Sequence, residues 1–288
     1  MHKCGTHSPP DEWCYPPDLD VHPFTIRPLV ILMSGRGTTV DAMLESGFPK
    51  FGTINNDLKA IVFGIEGDTS TFGANSWNAS AECCWPPGDP APGDDDAYID
   101  SKIDELIAAG WPVDPKQIYI IGHSAGSAMA FRYACNHPSR VAAILQMSAF
   151  GLRTDTDAAC AAGHFSAVHF HGTGVGEGVL YDNTTNNAVA PNTVEYVSVE
   201  VDRAAPTRTS TAAQLKAQNG CTGTLDLFGT LDFDADVGGN ETDLKHWTTC
   251  PADGAVEIWK GNGSAHSPNV TAAGVAAVVS FFRSHPKP

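Results

Sequence analysis

The sequence contains no apolar run near the ~20 residues needed to cross a bilayer. Its longest candidate, 274–282, is short and amphipathic. Basic residues are scarce: 17 Lys and Arg against 33 Asp and Glu leave a formal net charge of −16. Such a surface repels nucleic acid and anionic membranes, so neither is an expected partner. There is no C-x-x-C pair among the eight cysteines, which argues against zinc. Their even number fits disulfides in an exported chain; a cytoplasmic chain with reduced thiols is the alternative. Residues 1–20 are polar and proline-rich and do not form a signal peptide. The expectation is that an export signal was removed and Met1 added for expression, leaving a secreted protein. Neither an internal repeat nor a linker is visible. The chain therefore reads as an irregular arm, 1–27, followed by one domain, 28–288, with Cys4 and Cys14 closing a small loop in the arm.

What is there begins with apolar content of 42%, ample for a core. Leu29–Met33, Ala60–Phe63, Val141–Met147, Val168–Phe170 and Ala255–Trp259 read as strands, and 193–201 alternates like one. Helices are expected near Val40–Glu45, after the cap Asp94, at Ala125–Cys135, at Thr209–Asn219 with Gly220 as its stop, and from Asn269 onward. Strands alternating with helices imply a mostly parallel sheet covered on both faces, an α/β fold. Residues 64–93, rich in Gly, Pro, Asn, Ser and Trp, are expected to form a long surface loop.

Ile118 to Gly126 joins a buried-strand run to G-x-S-x-G, with Ser124 at the centre and a helical segment behind it. Strand, sharp turn and helix build a nucleophile elbow, in which only glycine fits two residues either side of the serine. Such a serine needs a base and an acid that orients the base. In this arrangement the histidine follows the last strand, which is where His266 stands in Gly263-Ser264-Ala265-His266-Ser267-Pro268. Ala125 supplies one backbone N–H of an oxyanion hole, and Arg36, between Gly35 and Gly37, the other. His123 adjoins the nucleophile but points the wrong way along the turn, and reads as packing or as a substrate contact.

Taken in order, Pro28–Thr38, Trp77-Asn78-Ala79 with Cys83-Cys84, Asp95–Ile107, Val113–Gly126, His171-Gly172-Thr173, Asn219-Gly220-Cys221, Cys250 and Gly263–Pro268 make a pattern. The chain resembles the polyhydroxybutyrate depolymerase and feruloyl esterase group of α/β-hydrolases over about 28–285. The resemblance implies an α/β-hydrolase fold, a secreted serine esterase without cofactor or metal, and a Cys221–Cys250 disulfide near the histidine loop. It implies acyl transfer from Ser124 with His266 as base. The natural ester is expected to be a feruloyl or acetyl ester of plant polysaccharide or a short-chain ester, with a polyester such as polyhydroxybutyrate next. The protein is expected to be a monomer.

Two positions depart from that group. Ser34 stands where the group has a histidine, and no aspartate follows His171-Gly172-Thr173 at the usual offset. Glu177 is the best replacement for the acid, with Asp182 and Asp202 as runners-up. These departures motivate a different reading, a binding module on a hydrolase fold that has lost activity. Trp77 and Trp85, with Phe72 and Trp247, are candidates for an aromatic substrate platform, or for small cores under loops. Asp232, Asp234, Asp236 and Asp243 partly match a calcium loop, but a solvated acidic loop is the better reading.

Overall fold

The computed structural model describes residues 3–7, 11–20, 22–46, 51, 53–69, 73–80, 83–84, 93–152, 157–174, 177, 199, 203–204 and 207–288. In chain order the strands of its first half are β1 (Lys3–His7), β2 (Asp11–Tyr15), β3 (Arg27–Met33), β4 (Ile61–Ile65), β5 (Asp68–Thr69), β6 (Asn75–Ser76), β7 (Val113–His123) and β8 (Ala143–Met147). There follow β9 (Ser166–Gly172), β10 (Arg203–Ala204), β11 (Thr207–Arg208), β12 (Thr222–Leu231), β13 (Thr242–Thr249) and β14 (Val256–Gly261). Ten of these form one sheet in the order β1-β2-β4-β3-β7-β8-β9-β14-β13-β12. From β4 to β14 neighbours run parallel, and an antiparallel pair extends each edge.

The apolar strands read as continuous because both faces of the sheet are covered. Leu29, Ile31, Met33, Ile118 and Ile120 pack on one side with α2 (Asp95–Ala108) and α3 (Ala125–Asn136). The alternate residues Val30, Leu32, Tyr119 and Ile121 pack on the other. There they meet α1 (Ile54–Leu58) and α5 (Ala272–Ser284), with Tyr119 stacked on Phe282 at 4.6 Å. A further helix, α4 (Thr211–Gln218), adds Ala212 and Leu215 to the first core. Asp94, Ser210 and Thr271 cap α2, α4 and α5, each accepting from the backbone N–H three residues on.

Three regions differ from expectation. The arm expected to be irregular contributes β1 and β2, which join the sheet edge with Cys14 opposite both Cys4 and Val62. An edge pairing is made by backbone groups and does not require an apolar pattern. The long ribbon β12–β13 was absent from the expectation, because β12 is exposed or half-exposed along its length and shows no apolar alternation. The last helix starts at Ala272, not Asn269, because Val270 instead bridges to Asp234. The strand expected at 193–201 lies outside the described residues apart from Val199.

Disulfides join Cys135 to Cys160, Cys221 to Cys250, and Cys83 to its neighbour Cys84; Cys14 is also disulfide-bonded. Such bonds are compatible with an extracellular protein. Among the described residues no helix is long and apolar enough to cross a membrane.

Candidate active site

β7 delivers Ser124 to the carboxyl edge of the sheet, and α3 begins at the next residue. Ser124 has φ 53° and ψ −123°, a conformation that costs a non-glycine residue on the order of 1–3 kcal/mol. Its surroundings hold it there. Its N–H donates to the Met147 carbonyl at 2.9 Å, while its carbonyl accepts from Ser127 and Ala128. A Cβ on Gly126 would lie 2.2 Å from the Met33 carbonyl oxygen, and one on Gly122 would lie 2.4 Å from that of Gly126. Helix α3 thus rests backbone-to-backbone on the end of β3, and no side chain fits between.

His266 lies between β14 and α5. Its Nε2 is 2.9 Å from Ser124 Oγ and its Nδ1 3.1 Å from Glu177 Oε1. A carboxylate only accepts, so Nδ1 carries the proton and Nε2 presents its lone pair to the serine hydroxyl. The histidine loop and the acid loop are joined by backbone: Gly174 N–H donates to the Ser264 carbonyl at 2.8 Å, Thr173 N–H to that of Gly261 at 2.8 Å. Gly172 is needed for this fit, since a Cβ there would stand 2.1 Å from the Ser264 carbonyl oxygen.

Glu177 is buried. Burial alone would raise its carboxyl, but hydrogen bonding and charge from His171 and then His266 outweigh it, and the pKa falls to about 2. The acid is therefore ionised across the physiological range. Its second oxygen, Oε2, lies 3.0 Å from His171 Nε2, off the line of an ideal hydrogen bond. His171 was not among the sequence candidates. The missed signal was the pair His169 and His171, two polar residues on one face of an otherwise apolar strand, which have to be satisfied somewhere.

The other candidates divide. Gly35 packs against Ser124: a Cβ there would lie 3.1 Å from the serine Cβ, which sets the 34–38 turn beside the nucleophile. In that turn Gly37 N–H is taken by the Asn75 carbonyl and Thr38 N–H by that of Gly35. Among the described residues, the N–H groups of Arg36 and Ala125 have no such backbone acceptor. Ser34, at the departure noted above, is fully buried, and its carbonyl accepts from Trp77 Nε1 at 2.9 Å.

That contact corrects the reading of Trp77. It is completely buried and braces the 34–38 turn from beneath, so it is not a substrate platform. A tryptophan in a Gly- and Asn-rich segment looks like surface, yet its ring fills the core beside Tyr98. For His123 the structure favours packing over a substrate contact: it is 4% exposed, and its Nε2–H donates to the His266 carbonyl at 3.0 Å, which holds the His266 backbone. Burial pushes its pKa to about 4, which leaves the ring neutral and fixes it in this donor role. Trp85, Phe72, Asp182 and Asp202 lie outside the described residues. Trp247 packs at the rim of the core under the Lys216 ammonium, 4.1 Å from its ring.

The acidic segment is solvated as expected over residues 235–240, but its base is not. Asp234 is buried and accepts from the N–H groups of Asp236 and Asn269, while Glu241 accepts from those of Phe233 and Asp234 and from the Thr242 hydroxyl. These carboxylates satisfy backbone donors at the base of β12–β13. Among the described residues no cluster of three metal-ligating side chains occurs.

A model of the α/β hydrolase fold matches residues 91–170, which span α2, the elbow and β9. A putative esterase, NocK, from Nocardia uniformis subsp. tsuyamanensis is 32% identical over 126 residues, 42% of this chain and 33% of that protein. The chain thus matches about a third of that relative's length (33%). Among solved structures, the acetyl xylan esterase from Aspergillus awamori superposes with a TM-score of 0.53 at 12% identity, over 99% of each chain. The Bacillus cereus carboxylesterase does so with a TM-score of 0.50 at 13% identity, over 98% of this chain and 94% of its own. With the parallel sheet and the elbow, these matches show that the chain has an α/β-hydrolase fold.

Proposed function

We propose that the protein is a serine esterase that cleaves carboxylic esters through an acyl-enzyme. One observation carries this: the hydrogen-bonded line from Ser124 Oγ through His266 to a buried, ionised Glu177, with links of 2.9 and 3.1 Å. In the proposed cycle His266 Nε2 takes the Ser124 proton as Oγ attacks the ester carbonyl. The N–H groups of Arg36 and Ala125 receive the developing oxyanion. The tetrahedral intermediate collapses and the alcohol leaves with the proton held by His266. Water, deprotonated by the same nitrogen, attacks the acyl-enzyme; the acid departs and Ser124 regains its proton. Throughout, Glu177 keeps the ring in the required tautomer and stabilises the imidazolium.

The preferred substrates are feruloyl or acetyl esters of plant polysaccharide and short soluble esters, ahead of a polyester such as polyhydroxybutyrate. The esterase names among the similar structures agree with an ester substrate, but at 12–13% identity they carry the fold and not the acyl group. The disulfides and the net charge of −16 favour a secreted, monomeric protein. The test is hydrolysis of p-nitrophenyl acetate and butyrate with Ser124→Ala as the blank. Turnover should exceed the blank by about 10⁴-fold or more. Turnover equal to the blank in folded protein, with no labelling of Ser124 by a fluorophosphonate, would overturn the reading in favour of an inactive binding module.

A further inference from the structure

The Glu177 carboxylate has two imidazole neighbours, and the mechanism above uses only one. A glutamate side chain has three rotatable bonds, and His266 is half-exposed (44%), so a single contact with it leaves the acid poorly fixed. The second neighbour is of another kind. His171 is completely buried at the end of β9. Its Nδ1 donates to the Ala149 carbonyl at 3.3 Å, which turns Nε2 toward Glu177 Oε2 at 3.0 Å. Nε2 and Oε2 thus face each other at contact distance, although they are not aligned as an ideal hydrogen bond.

The ring is itself fixed. His169 stacks on it at 5.8 Å and 13°, and the His169 Nδ1–H donates to Gln146 Oε1 at 2.8 Å. Gln146 in turn donates to the Phe150 carbonyl at 3.0 Å. A buried polar chain therefore runs beneath the site from β8 across β9 to the acid.

The geometry points to His171 as a positioning residue that grips the second oxygen of Glu177, so that the acid is clamped between two imidazoles. This rests on the proposed esterase mechanism. Both His171 and His266 help to hold Glu177 ionised against its burial. His171 touches no reacting atom; it acts through Glu177 alone.

Three variants and one structure test this. His171→Phe keeps the ring volume and removes the donor; His171→Gln keeps an N–H at similar reach. With p-nitrophenyl acetate, His171→Phe should lose about ten- to a hundredfold in kcat with KM within about twofold, and His171→Gln should recover most of that loss. In a Glu177→Gln background, His171→Phe should cost nothing further, because both changes remove the same orientation. A crystal structure of His171→Phe should show the Glu177 carboxylate turned away from His266. Equal losses in the Phe and Gln variants, an undiminished cost in the Glu177→Gln background, or Glu177 still in place in the crystal would each overturn the assignment. If the wild-type protein turns over no ester, the esterase reading falls on its own, and the crystal structure still decides whether His171 positions the acid.

Discussion

On the nucleophile side, Ser124 is fixed by main chain packed on main chain: Gly122 against Gly126, Gly126 against the end of β3, Gly35 against the serine itself. On the acid side, the loops also meet through backbone, but among the described residues the carboxylate is reached through side chains, from His266 outward and His171 inward. The difference teaches where each half is vulnerable. Contacts between backbones leave no rotamer to lose, so damage there is damage to the fold. A side-chain clamp can be released while the fold survives.

The largest expected effect on catalysis that spares the fold is on the acid side. Glu177→Gln should cost about 10²- to 10⁴-fold in kcat, by analogy with other triad acids, and should lower the melting point at neutral pH without preventing folding, because the variant lacks the ionised carboxylate's contacts. A near-wild-type rate would remove Glu177 from the mechanism. The same variant has a signature in acid. The Glu177 carboxyl sits at about 2 in the folded chain against an ordinary 4.5, so the unfolded chain binds this proton first. Its stabilising contribution is complete above about pH 5 and is lost as pH falls from 4.5 toward 2. Urea midpoints of the wild type should therefore fall more steeply than those of Glu177→Gln between pH 5 and 3. Parallel curves would mean that the carboxylate is not held as an ion.

On the nucleophile side, Gly126→Ala should fail differently. A Cβ placed 2.2 Å from a carbonyl oxygen forces strand and helix apart, and the variant should melt about 10 °C lower or not accumulate as soluble protein. If instead it melts normally and only kcat falls, the two sides are less distinct than their packing suggests. Trp77→Phe is a milder probe of the same side. Losing the bond to the Ser34 carbonyl should lower kcat by about three- to tenfold and the melting point by about 3–6 °C, with KM unchanged. A raised KM would return Trp77 to the substrate platform. The smallest effect is expected with chelator. Asp234 and Glu241 are occupied by backbone donors, so EDTA should leave the melting point within about 1 °C, and a larger drop would reveal a bound cation.

The elbow was legible because its rules are steric and local: an apolar strand, a glycine either side at two residues, a helix behind. The position of His266 was legible from its place between the last strand and the last helix. What escaped the sequence depends on distant partners. The pair His169 and His171 in an apolar strand signals that a polar partner is needed, but a separation in sequence does not reveal that the partner of His171 is Glu177. Trp77 was left between substrate platform and small core because its loop composition describes the chain around it and not the pocket it fills. The β12–β13 ribbon has no apolar alternation to read, since water reaches both its faces along much of β12. Glu177 was proposed as a stand-in for the aspartate that the resemblance implies after His171-Gly172-Thr173, and its runners-up Asp182 and Asp202 lie beyond the described residues.

The seating of Gly126 on the carbonyls of Met33 and Ser34 also bears on how such a protein can change over generations. Strand end, turn and helix start are mutually locked, so a substitution in any one demands compensation in another. Divergence in what the protein acts on is thereby channelled away from residues 33–35 and 122–126. It falls to positions outside these two segments, and a mutational library aimed at new acyl groups belongs there.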